Sequence, residues 1–104
     1  MDAGRVVVCA DAELAPGHMA AARIDLLPVM VARTGDGELH GYVDRCLHQA
    51  ARLSGGTLAG DVLRCPWHGS EYDVRSGCAL VDSRLRLETV RVEVEGGMIV
   101  AYAR

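Results

Sequence analysis

Two short stretches carry the residues able to do redox or metal chemistry. Cys46-Leu47-His48 is followed, after sixteen intervening residues, by Cys65-Pro66-Trp67-His68-Gly69. Each stretch offers one thiolate and one imidazole. In an extended loop, residues two apart project the same way, so Cys46 and His48 can reach one site. Cys65 and His68 can reach it from a facing loop. Two sulfur and two nitrogen donors suit a binuclear iron–sulfur cluster with differently ligated irons: both thiolates on the inner iron, both imidazoles on the outer. The same four donors are an ordinary zinc set, which stands as the alternative. The one-residue gap of Cys46-x-His48 is unusual for structural zinc, whose paired ligands stand two to four residues apart.

Charge explains what the imidazoles add. Two ferric ions, two sulfides and two thiolates sum to zero, and reduction leaves one negative charge. With four thiolates the same step starts from two negative charges. An electron enters the neutral cluster more readily, which places its potential at about −150 to +300 mV rather than about −400 mV.

The loops need elements to hold them, and those elements read as short strands. Residues 5–9, 19–25 and 28–33 form the first three strands, with a turn at 13–17. Thr34-Gly35-Asp36-Gly37 is a hairpin turn, and 38–44 returns as a strand into the first Cys/His loop. In that strand Leu39 and Val43 face one side. His40, Tyr42 and Asp44 face the other, expected to be exposed at His40. Asp61-Val62-Leu63-Arg64 delivers Cys65, Tyr72-Asp73-Val74 leaves the second loop, and Arg75-Ser76-Gly77 turns. A short helical turn is expected near 49–53. Residues 89–94, Gly96-Gly97 and 98–102 make a final hairpin, in which Val90 and Val92 alternate with Arg91 and Glu93. Many short strands and Gly-rich turns predict an all-β fold, sandwich or barrel.

Bulk properties narrow the function further. At 104 residues the chain fits one compact domain with a small core, which a cluster cross-linking two loops would reinforce. The net charge of −3 is spread along the chain and argues against a nucleic-acid partner. No apolar run approaches the length of a membrane span, and no export signal is read at the N-terminus. The four cysteines then read as reduced thiols in the cytoplasm. Cys9 is expected to be a buried inert thiol and Cys78 a stray one. His18 and His40 are not expected to bind metal. Arg45, Arg52, Glu71 and Arg75 flank the loops as partner-steering groups or as a solvated rim. Trp67 is expected to pack over the cluster.

The resemblance extends beyond the four donors. Leu53 and Ser54-Gly55-Gly56 follow the first loop, and the second runs through Ser70-Glu71-Tyr72-Asp73-Val74-Arg75-Ser76-Gly77. With the final hairpin, this resembles a Rieske-type ferredoxin of the kind serving bacterial ring-hydroxylating dioxygenases. The resemblance implies a Rieske-type antiparallel β-sandwich with a small cluster-binding subdomain at about 45–75, residues 1–104 forming a single domain. It implies one 2Fe–2S cluster on Cys46, His48, Cys65 and His68, with Ser70, Tyr72 and Trp67 around it, and imidazoles facing solvent. It also implies a monomeric one-electron carrier, with a flavin-dependent reductase as donor and a terminal oxygenase as acceptor. The chain is not expected to be the oxygenase itself, since only His18 and His40 remain for a mononuclear iron site. A Rieske-type small subunit of a nitrite reductase is the second reading.

Four positions depart from the family pattern: Leu47 in place of Thr, Ala50 in place of Gly, Tyr72 in place of Phe, and a 78–85 segment without its usual Pro. Ala51 and Trp67 stand where respiratory-chain Rieske proteins place a disulfide, which this chain cannot make. Ser70 and Tyr72, by contrast, match the respiratory type, whose hydroxyls bond to a bridging sulfide and to a ligand sulfur.

Overall fold

The structure, a computed structural model, describes residues 4–47, 51–67 and 69–103. Its strands are β1 (Arg5–Ala10), β2 (Met19–Ile24), β3 (Leu27–Arg33), β4 (Leu39–Val43), β5 (Thr57–Ala59), β6 (Val62–Arg64), β7 (Glu71–Asp73), β8 (Thr89–Glu95) and β9 (Met98–Tyr102). All pair antiparallel. Six form a base sheet in the order β1-β9-β8-β4-β3-β2, and β5-β6-β7 form a small second sheet. The base sheet curls until β1 packs back against β2. Among the described residues, no helix is long and apolar enough to cross a membrane.

Strand alternation decides what each face of the base sheet covers. On β3, Val29 and Val31 point into the curled base, joining Ile24, Val43, Val90, Ile99 and Ala101. Met30 and Ala32 point out of it, yet both are fully buried. They belong to a second core with Tyr42, Leu53, Leu63, Tyr72, Val74 and Leu87, which joins the base to the small sheet. Each fully buried aliphatic side chain there contributes about 1.5–3 kcal/mol.

This second core corrects the expectation for β4. The face carrying His40, Tyr42 and Asp44 is not exposed. Tyr42 and Asp44 are buried, and His40 Nε2 is shielded from solvent 3.4 Å from a Glu38 carboxylate oxygen. The small sheet covers what a lone hairpin would leave wet. Along β8 the expected alternation holds, with Val90 buried, Val92 half-buried and Arg91 and Glu93 exposed. β5 was not read from the sequence, and the 3-10 turn at Leu53–Gly55 meets the helical turn expected near 49–53 only at Leu53, with Arg52 before it extended. Gln49 and Ala50 lie outside the described residues. Cys9 is half-buried rather than buried, its thiol pushed up chiefly by what burial it has.

Two polar ties fix the small sheet to the base. The Tyr42 hydroxyl donates to the Val74 carbonyl at 2.7 Å, and Gly77 makes room for the ring. Gly77 has a φ of +80°, and a Cβ there would stand 2.8 Å from Tyr42 Cε1. Arg75 reaches Asp61 at 2.7 Å and Asp36 and Glu38 at 3.0 Å each, so one guanidinium joins the β3–β4 turn to the β5–β6 turn. The Thr34 hydroxyl and this guanidinium hold the Asp36 carboxyl down at about 2.

Burial pushes the Tyr42 hydroxyl up to about 12 from an ordinary value of 10.0. A group whose folded pKa is raised contributes stability that is whole below pH 10 and lost as pH rises through about 12. Tyr42→Phe should therefore cost about 1 kcal/mol at neutral pH, the net worth of one hydrogen bond. It should also flatten the alkaline decline, both read from urea unfolding across pH 7 to about 12.

Candidate metal centre

Asp44 begins the construction of the first loop. Its buried carboxylate accepts the Ser54 N–H at 2.8 Å and the Ser54 hydroxyl, tying the loop's exit to its entrance. Inside that tie, the Cys46 N–H donates to the Ala51 carbonyl at 3.0 Å. The second loop closes the same way, with the Cys65 N–H donating to the Ser70 carbonyl at 2.8 Å. The loops meet at Gly56, where a Cβ would lie 1.9 Å from the Arg64 carbonyl oxygen. Only glycine permits that approach, which accounts for the Ser54-Gly55-Gly56 run.

The two thiols come together at the junction. Cys46 and Cys65 are 3% and 2% exposed, and their sulfurs lie within hydrogen-bonding reach of one another. Burial pushes the Cys65 thiol up, against the Trp67 N–H that donates to its sulfur, and the neighbouring Cys46 adds to the rise. Two adjacent buried acids cannot both ionise in an apolar pocket without a cation to share their charge. The pocket therefore fits a metal held by two thiolates. His48 and His68 lie outside the described residues. Among the described residues no group of three or more metal-donor side chains forms.

Tyr72 underlies the thiols. Its hydroxyl lies 3.4 Å from Cys46 Sγ and accepts the Leu47 N–H at 3.3 Å. With that N–H accepted, the hydroxyl proton is free to point at the sulfur, and a thiolate there can only accept. Burial, with Cys46 beside it, pushes this hydroxyl up to about 12, so it keeps its proton.

The remaining expected residues divide. Trp67 is exposed rather than packed, as is Leu47, while Ala51 packs against the core below. Arg75 is engaged by its three carboxylates, leaving Arg45, Arg52 and Glu71 as exposed groups near the loops. The 78–85 segment, which lacks a proline, is shaped by hydrogen bonds. Ala79 bridges to Tyr72, its N–H donates to the Leu85 carbonyl at 2.8 Å, and the Leu80 N–H reaches the Glu71 carbonyl at 3.0 Å. Asp82 holds the tip by accepting the Arg84 N–H and guanidinium.

Comparison with known proteins shows the family. The model of the Rieske [2Fe-2S] domain matches residues 4–91. The chain is 37% identical to ferredoxin CarAc of Metapseudomonas resinovorans, across 88% of this chain and 87% of that protein. It is 34% identical to the ferredoxin component of biphenyl 2,3-dioxygenase of Rhodococcus jostii, across 86% and 83%. A chain in the solved complex of reduced oxygenase and oxidized ferredoxin in carbazole 1,9a-dioxygenase superposes with a TM-score of 0.86 at 32% identity. That match covers 99% of this chain and 96% of that one. A cluster-free zinc protein is thereby set aside. On the matched fold and the paired buried thiols together, the chain belongs to the Rieske [2Fe-2S] domain family, with one 2Fe–2S cluster and the role of a one-electron carrier rather than a catalytic subunit.

Proposed function

We propose that Cys46 and Cys65 hold one iron of the cluster and His48 and His68 the other. We further propose that the chain carries single electrons from a flavin-dependent reductase to a terminal oxygenase. The carrier works in the cytoplasm as a monomer, one Rieske domain whose segment 45–75 is the cluster-binding part. The observation that supports this most is the pair of buried thiols at the meeting point of two loops, each followed in sequence by an imidazole. When bound, the cluster supplies a reversible one-electron step at one of its irons. The chain's own residues exclude water from the thiolates, fix both loops through Asp44, Ser54 and Gly56, and present the Tyr72 hydroxyl to one sulfur. Relatives that are the ferredoxin components of biphenyl and naphthalene dioxygenases favour the oxygenase as acceptor.

Reconstitution tests the role. A flavin reductase, NADH and a terminal oxygenase should form product only when catalytic amounts of this chain are added; product at the same rate without it sinks the proposal. Recovery from the native host as a stoichiometric subunit of a larger enzyme would replace it with the nitrite-reductase reading.

Two substitutions test the site. A hydrogen bond to a thiolate favours the more negative, reduced state, and one worth about 1 kcal/mol corresponds to about 40 mV for one electron. Tyr72→Phe should lower the midpoint potential by about that amount in protein-film voltammetry. An unchanged potential removes Tyr72 from the tuning. His68→Cys adds a negative charge to the cluster and should move its potential toward the all-thiolate range near about −400 mV. A potential that stays put takes His68 out of the ligand set.

A further inference from the structure

We infer that Arg64 is a positioning residue of the second ligand loop: its guanidinium covers Gly69 and fixes the turn that carries His68. This rests on His68 being a ligand, as proposed above.

Strand alternation sends Arg64 away from the core. Its neighbours Leu63 and Cys65 are buried, so Arg64 stands on the outer face of the small sheet. The register there places it opposite Glu71 on β7 and Thr57 on β5, both exposed. A glutamate directly across the ladder is a ready partner for an arginine. Yet Arg64 enters no ion pair among the described residues. Its side chain goes to the second loop instead. A Cβ built on Gly69 would stand 2.7 Å from Arg64 Nη2, 2.9 Å from Nε and 3.2 Å from Cζ. The planar guanidinium therefore occupies the space of the side chain that Gly69 lacks. Gly69 has a φ of +69°, and Ser70 after it accepts the Cys65 N–H at 2.8 Å. A backbone bond closes the loop just beyond this turn, and the guanidinium packs on the turn itself.

The loop has little else to hold it. Pro66 and Trp67 are both exposed. Arg64 also borders an open cavity of about 560 Å³ that reaches Cys65, with Gly55, Gly56, Thr57, Pro66 and Gly69 around it. Among the described residues that line it, Arg64 alone has a long side chain. Removing that side chain opens the junction of the two loops to water. Contacts of this kind, one step out from a metal ligand, set the ligand's orientation. The charge of Arg64 counts for less, because an exposed charge is screened by salt. What the turn takes from Arg64 is length and a flat face, which lysine does not supply.

The test uses the holoprotein. Cluster loss is followed as decay of visible absorption in excess EDTA, and the reduced cluster is recorded by EPR. Arg64→Met and Arg64→Lys should each speed cluster loss about tenfold and shift the EPR g values. Gly69→Ala should do the same, since its methyl takes the guanidinium's place. Adding Arg64→Met to Gly69→Ala should then speed loss by less than about twofold, because the cover is already gone. The strain of alanine at that φ is common to both backgrounds and cancels in the cycle. Parent loss rates and g values in Arg64→Met overturn the inference, as does full additivity with Gly69→Ala. Parent behaviour in Arg64→Lys also overturns it, by assigning the effect to charge. Should Gly69→Ala fail to take up a cluster, the two exposed-site variants decide alone. A His68→Cys cluster that keeps the parent's potential instead removes the ligand reading, and this inference with it.

Discussion

Everything in this domain depends on taking two thiols out of water at the junction of two loops. A buried thiolate pair is unstable without a cation, and a cation site is useless if its donors drift. The chain answers with a core that belongs to neither sheet alone. Met30 and Ala32 reach up from β3, Leu63 and Tyr72 reach down from the small sheet, and Cys46 and Cys65 sit among them. The two thiols belong to a hydrophobic core, so the packing that stabilises the fold also fixes the sulfurs.

Polar groups then hold that arrangement where apolar packing has no directional preference. Tyr42, Asp44 and Arg75 each start or end on the base and bind the small sheet or its loops. Two of them are buried and fully engaged, and an unpaired group there would cost more than the bond contributes. Tyr42 in particular cannot keep its hydroxyl bond if the small sheet tilts, because Val74 supplies the acceptor. The junction is consequently specified by a few bonds with defined geometry rather than by contact area alone.

Much of this was legible in the sequence. The paired Cys/His stretches identified the cluster, and the Gly-marked hairpins located most strands of the base. Likeness to respiratory Rieske proteins led to the expectation that the Tyr72 hydroxyl meets a ligand sulfur, and in the structure that hydroxyl lies 3.4 Å from Cys46 Sγ. Each miss has its own physical cause. A two-residue alternation tells which side chains share a face but not whether another sheet covers the second face. His40, Tyr42 and Asp44 therefore read as a wet face when the small sheet lies over it. The brief β5, three residues from Thr57 to Ala59, carries too few apolar positions to register as a strand by pattern. Nothing in the sequence near Arg75 announces that its partners lie at Asp36, Glu38 and Asp61, since ion pairs across a fold leave no local period. Trp67 read as packing because tryptophan usually buries its ring, and here the loop turns it outward.

The hydroxyl beside the Cys46 sulfur and the exposed apolar residues of the 78–85 segment lie in different surroundings. Tyr72 is buried, touches Cys46, and presents nothing to a partner. Val81 and Leu80 are exposed and are followed by a tip held by Asp82 and Arg84. They are joined through the backbone alone, by Ala79 opposite Tyr72 and Leu80 on Glu71. A side chain changed at the tip leaves those backbone bonds in place, whereas one changed at Tyr72 alters the sulfur's surroundings without moving the surface. Side chains that share no contact with one another act nearly independently. The hydroxyl beside the sulfur is thus held from inside the core, while the exposed end of the 78–85 segment is set by its own hydrogen bonds.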